Sequence, residues 1–113
     1  MARMQFTKKI TVNGWTNLLT TIQTAGYTGP NTPTGETTLL DFTTTPCYIH
    51  FYDDAAVNPN AGASITATDG LPICTDTAAA PSSSFTLPAG TLLGSVWLYT
   101  GSSISVTVAV QNI

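Results

Sequence analysis

Apolar and polar residues alternate with period two along much of this chain. The clearest run is the last. Ile104, Val106, Val108 and Val110 alternate with Ser105, Thr107, Ala109 and Gln111. β-Branched residues on one face, with small or polar ones on the other, predict a strand whose apolar face looks inward. Val96-Trp97-Leu98-Tyr99 precedes this run across Thr100-Gly101-Ser102. Two strands joined by a short Gly-containing connection predict a hairpin. At the other end, Phe6, Lys8, Ile10 and Val12 alternate with Thr7, Lys9 and Thr11. That is a first strand, with Lys8 breaking its apolar face. Asn13-Gly14 comes next, and Asn-Gly between β-like runs is the strongest short hairpin signal. It predicts a second strand over Trp15 to Thr24. Trp15, Leu18, Leu19 and Ile22 also fit helical spacing, so a short helix competes there. The threonines of the segment tilt the balance toward strand.

The middle of the chain is broken by turn chemistry. Ala25 to Gly35 is a long loop rich in Gly, Pro and Asn, and long ordered loops are often functional. Glu36 to Thr44 resumes a strand pattern, with Leu40 and Phe42 on one face and Leu39 on the other. Cys47 to Tyr52 is apolar or aromatic on both faces: Cys47, Ile49 and Phe51 against Tyr48, His50 and Tyr52. Such a strand is central in its sheet, or meets a partner. Asp53 to Gly62 is a second long loop. Short extended pieces around Ile65 and Leu71 flank a Thr68-Asp69-Gly70 turn. The pattern predicts one all-β domain over residues 1–113, an antiparallel β-sandwich, jelly-roll-like, of about seven or eight short strands.

Composition sharpens this picture in two ways. Charged residues make up only 8% of the 113, against about 25% in ordinary soluble domains. Thr supplies roughly one residue in five, far above its usual share. A Thr-rich, charge-poor surface has little repulsion between copies and suits a protein packed against neighbours. The net charge of −3 argues against binding nucleic acid, which needs clustered cations. No segment is long enough for a transmembrane helix, so no membrane partner is expected. The N-terminus has no apolar stretch after its charges, so it does not read as a secretory signal. Cys47 and Cys74 fit two reduced, buried thiols of a cytoplasmic product, with a disulfide as the alternative.

Candidate chemistry is sparse. His50 is the single histidine, so a multi-histidine metal site is excluded, and a hydrogen-bonded histidine on a strand face explains it best. Asp53, Asp54, Asp69 and Asp76 offer carboxylates for calcium, but Asp69-Gly70 is better read as turn chemistry. No phosphate loop, nucleophile elbow or Cys/His metal spacing occurs. The expectation is a non-enzyme without metal or cofactor. Trp15, Trp97, Tyr27, Tyr48, Tyr52 and Tyr99 could supply an aromatic platform for sugars, although core or interface anchoring is the commoner role of such rings. Tyr27, in a loop, is the better candidate for an exposed contact. Few charges guard the sheet edges, and a closed homo-oligomer or a lattice would cover them.

The second half also carries a recurring order of signals. It runs Ile65-Thr66-Ala67-Thr68-Asp69-Gly70-Leu71-Pro72-Ile73, then Ser84-Phe85-Thr86-Leu87-Pro88-Ala89-Gly90, then Val96-Trp97-Leu98-Tyr99, then Ile104-Ser105-Val106-Thr107-Val108. Over roughly residues 46–113 this resembles capsid decoration (cement) proteins and related small virion proteins of tailed bacteriophages. The resemblance implies a jelly-roll sandwich, a homotrimer, and a place on the capsid surface against the major capsid protein, after synthesis in the host bacterial cytoplasm. It carries over no functional residue. The candidate partner contacts are Arg3, Lys8, Lys9, Tyr27, Tyr48 and Tyr52. The cations could meet an acidic shell or simply keep an edge strand soluble. The rival function is a carbohydrate-binding module or receptor-binding tip of the same fold class.

Overall fold

The first and last strands form the spine of the molecule. The computed structural model describes residues 5–75, 80 and 82–111. Strand β1 (Gln5–Asn17) runs antiparallel to strand β6 (Val96–Gln111) over almost its whole length. The alternation of the last run is realised: Val106, Val108 and Val110 are fully buried and Ile104 packs on the same core. Ile10 and Val12 answer them from β1. Pairing runs from Gln5↔Gln111 to Val12↔Ile104, slips, and resumes at Gly14↔Thr100 to end at Asn17↔Trp97.

The slip corrects both expected hairpins. Asn13-Gly14 and Thr100-Gly101-Ser102 are not turns between separate strands. Each lies inside one long strand, and the two lie opposite each other as a bulge in the ribbon. A bulge needs what a tight turn needs, a residue at positive φ and a gap in the ladder. Gly14 supplies φ +64°. The buried Thr100 side chain bridges the gap. Its Oγ1 lies 3.1 Å from the Val12 carbonyl and 2.6 Å from that of Ser102.

The kink decides the architecture, because the far edge of β6 is shared by two strands. β2 (Thr37–Leu40) pairs with its C-terminal part, Thr107 to Val110. β3 (Cys47–Phe51) pairs with its N-terminal part, Val96 to Tyr99. β4 (Leu71–Ile73) extends β3, and β5 (Ser84–Leu87) extends β2. Two wings thus branch from one bent ribbon, and the antiparallel sheet nearly closes into a barrel. Strand takes up 44% of the described residues and helix 18%, so the chain is mainly β. It has six strands there, two of them long, in place of seven or eight short ones. One core joins the wings, with Leu39 and Leu87 from one, Cys47, Ile49 and Ile73 from the other, and Leu98 from the ribbon. Of the two faces expected for the Glu36–Thr44 segment, Leu39's is inside, and Phe42 is 63% exposed.

The segment after Trp15 takes the helical alternative. Strand β1 ends at Asn17, and helix α1 (Leu18–Thr24) follows. Asn17 Oδ1 accepts the Thr20 amide at 3.1 Å, an N-cap. Its Nδ2 donates to the Gly94 carbonyl at 3.0 Å. Leu18 and Ile22 are fully buried in the common core with Leu93. Thr21 and Thr24 turn their hydroxyls back onto the carbonyls of Asn17 and Thr20. That satisfies the side chains locally and lets tertiary burial override a weak strand preference.

The kink generates a first prediction. Gly14→Ala meets no atom within 4 Å but must hold a positive φ, a conformation that costs L-residues about 1–2 kcal/mol. Gly101→Ala also meets no atom, and at a φ outside that region. Urea unfolding is expected to show the first loss and little change for the second; equal effects would contradict this role for Gly14.

Candidate functional site

The outer face of the β1–β6–β3 region gathers both tryptophans, two of the four tyrosines and the single histidine. Pairing places Trp15 opposite Tyr99, Tyr99 opposite Tyr48, and Tyr48 opposite Pro72. These four positions form one row across β1, β6, β3 and β4, and all four are partly exposed. A parallel row two residues along the strands contains Asn17, Trp97 and His50. The Trp15 ring sits 5.2 Å from Tyr99 and 4.7 Å from His50, tilted by 58° and 60°. Tilted contacts of this kind are favourable ring geometry.

The excursion between β3 and β4 covers the second row and leaves the first uncovered. It contains helix α2 (Pro59–Ala63), capped by Asn58, and a 3₁₀ turn at Ala67–Asp69. Trp97 Nε1 donates to the Asp54 carbonyl at 2.9 Å, and His50 Nε2 lies 2.6 Å from the Ala67 carbonyl. Trp97 and His50 retain only 7% and 6% exposure. Two glycines permit the close approach. A Cβ at Gly70 would press on the His50 ring, and one at Gly62 would overlap the Tyr52 hydroxyl. His50 and Trp97 are therefore anchors of this cover.

The expected contact residues separate. Tyr27 is not an exposed contact. It is 3% exposed, donates its hydroxyl to the Pro30 carbonyl at 2.7 Å, and packs edge-on to Phe6. Aromatic contact and a local acceptor pulled this loop residue inward, and burial pushes its phenol above its ordinary pKa. Tyr48 lies in the open aromatic row. Tyr52 lies under α2, half-buried. Lys8 and Lys9 are exposed on β1, which among the described residues pairs only with β6. Arg3 and Asp76 fall outside the described residues. Asp54 Oδ1 accepts the amides of Ala56 and Val57, a turn-forming role. Among the described residues no three His, Cys, Asp or Glu side chains come together as metal ligands.

One buried carboxylate escaped the sequence reading. Asp41, just past β2, has no solvent exposure. Its Oδ1 accepts the Thr43 amide and hydroxyl at 2.8 and 2.7 Å, while Oδ2 lacks an aligned donor among the described residues. Desolvation raises its pKa, against the opposing pull of the Thr43 side chain and the Thr43 and Cys47 amides. The Asp-x-Thr spacing at Asp41-Phe42-Thr43 was the available signal, since such pairs build local turns. The thiol of Cys47 is pushed up to about 12 by burial and by the negative charge of Asp41. Cys47 and Cys74 are both buried and not joined in a disulfide.

The chain matches no family model, no curated protein and no solved structure. What the site does is therefore argued from its own geometry. No helix among the described residues is long and apolar enough to cross a membrane.

Two predictions concern the buried pair. A carboxyl whose folded pKa is raised contributes stability at low pH that is lost as pH rises through that folded value. Wild-type stability relative to Asp41→Asn is expected to fall as pH rises above the unfolded carboxylate range, about 4, because the folded carboxyl holds its proton to higher pH. Parallel stability curves for the two proteins would contradict the burial of a charge there. Native protein is expected to react slowly with Ellman's reagent and to release two thiol equivalents on denaturation, because the thiolate is the reactive form. Fast native reaction would show an accessible thiol.

Proposed function

We propose that this protein is a non-enzymatic virion structural protein of a tailed bacteriophage, one that decorates the capsid and stabilises it by bridging capsomers. The observation that carries this reading is the unfinished sheet. Among the described residues, β1, β4 and β5 each have a hydrogen-bonded strand neighbour on one side only. Near the ends of the wings, Phe51 is 51% and Leu71 48% exposed, and Phe51 faces Phe85 at 6.5 Å. Unpaired strand edges and exposed apolar side chains favour association. Only 8% of the residues carry charge to oppose it. In this reading a homotrimer covers part of that surface and the major capsid protein covers the rest. Lys8 and Lys9, exposed on a sheet edge, are the first cations a shell would meet.

The jelly-roll-like sandwich belongs to the same proposal, in reduced form. The two wings act as facing layers, and the bent β1–β6 ribbon forms the corner between them. The virion location and synthesis in the host cytoplasm also belong to it. Weak contacts suffice on such a surface, since an oligomer attached at several points multiplies them.

Native mass spectrometry, followed by mixing with expanded capsid shells of a tailed bacteriophage, tests the proposal. A trimer that binds shells saturably is expected. A strict monomer that leaves shells bare would overturn it.

A further inference from the structure

We infer that the uncovered row Trp15–Tyr99–Tyr48 is a binding strip for a neutral glycan chain. The inference does not rest on the capsid reading, since it needs neither an oligomer nor a shell.

The polar atoms of the aromatic residues divide into two sets. Trp97 Nε1, Tyr27 Oη and His50 Nε2 are each engaged by a backbone carbonyl of this chain. Trp15 Nε1, Tyr48 Oη and Tyr99 Oη have no hydrogen-bond partner among the described residues. They are not sealed from solvent either, since Asp41 Oδ2 is the one buried side-chain atom there without a partner. Buried or half-buried Tyr and Trp usually find a partner for these groups. Here the three unengaged groups belong to three rings in a single register row.

The row has the shape of an extended chain. Adjacent strands lie about 4.8 Å apart, so four positions span about 14 Å. Each strand step offers one new side chain, Trp15, Tyr99, Tyr48 and then Pro72. That step is close to the advance of one hexose along an extended glycan. Along the strands the row is narrow. The 53–70 excursion covers its neighbours Trp97 and His50 on one side. The exposed bulge residues Asn13, Gly101 and Ser102 lie on the other. A strip one residue wide suits a single linear chain better than a protein surface, which needs a broad patch.

The chemistry agrees with the shape. The negative face of an aromatic ring attracts the weakly positive C–H face of a sugar. The Tyr hydroxyls can both donate and accept, and the indole N–H donates, which meets the mixed demands of sugar hydroxyls. No residue of the row carries a charge, so nothing in it selects an anionic ligand.

The test uses isothermal titration calorimetry and saturation-transfer NMR with cellohexaose, laminarihexaose, maltohexaose and chitohexaose. At least one is expected to bind, with saturation transferred from the protein to the C–H protons of the sugar rings. Trp15→Ala is expected to weaken binding by about tenfold or more. The double variant Tyr48→Phe, Tyr99→Phe keeps the rings and removes both hydroxyls, and about a tenfold loss is expected from it. It carries the test if Trp15→Ala fails to fold. Phe42→Ala, at a loop position 63% exposed, is expected to bind as wild type. Absence of binding by all four sugars at millimolar concentration overturns the inference. So does binding that folded row variants leave unchanged. A change of oligomeric mass in Trp15→Ala without sugar binding would assign the row to a contact between copies, and would also overturn it.

Discussion

The fold depends on one irregularity in one ribbon. β1 and β6 pair over most of their length, yet between Val12 and Gly14 the ladder slips and the ribbon bends. The β2–β5 and β3–β4 wings pair with β6 on opposite sides of this slip, beside Val108 and Leu98 respectively. Both residues are fully buried in a shared core. Glycine at positive φ makes the bend sterically cheap, and the Thr100 hydroxyl shares its one proton between the Val12 and Ser102 carbonyls at the slip. Those interactions are local and small, but every inter-wing contact requires the geometry they hold.

The aromatic face follows from the same ribbon. Pairing of β1 and β3 on opposite edges of β6 sets the two rows of rings side by side. The excursion from Asp53 to Gly70 then treats the rows differently. It accepts the indole N–H of Trp97, meets the imidazole of His50, and uses Gly62 and Gly70 where a side chain would collide. Burial of Trp97 and His50 is thereby structural. The outer row keeps its polar atoms available, and that difference in hydrogen bonding separates rings that hold the fold from rings that can meet a ligand.

Scarcity of charge shapes the rest. A buried Asp41 with one unpaired oxygen is costly, because desolvation opposes its charge. The Thr43 amide and hydroxyl offset part of that cost and fix the turn from β2 toward β3. On the outside, two lysines on β1 are the cations among the described residues. The strand edges without a neighbour among the described residues therefore meet solvent with little electrostatic protection.

The period-two pattern by itself determined that the chain is mainly β, that Ile104 to Val110 present alternate residues to the core, and that a strand with apolar or aromatic residues on both faces begins at Cys47. Those features are legible because alternation along a strand is a local property. Other features were decided by tertiary structure. Asn13-Gly14 and Thr100-Gly101-Ser102 carry hairpin chemistry, but a bulge asks for the same residues, and only the strand lying opposite distinguishes the two. Trp15 to Thr24 fits both periods, and burial of Leu18 and Ile22 against Leu93 selected the helix. Tyr27 looked exposed in a polar loop until Phe6 and the Pro30 carbonyl drew it in. Which aromatic rings remain open depends on where an excursion distant in sequence comes to rest, and no local pattern encodes that contact.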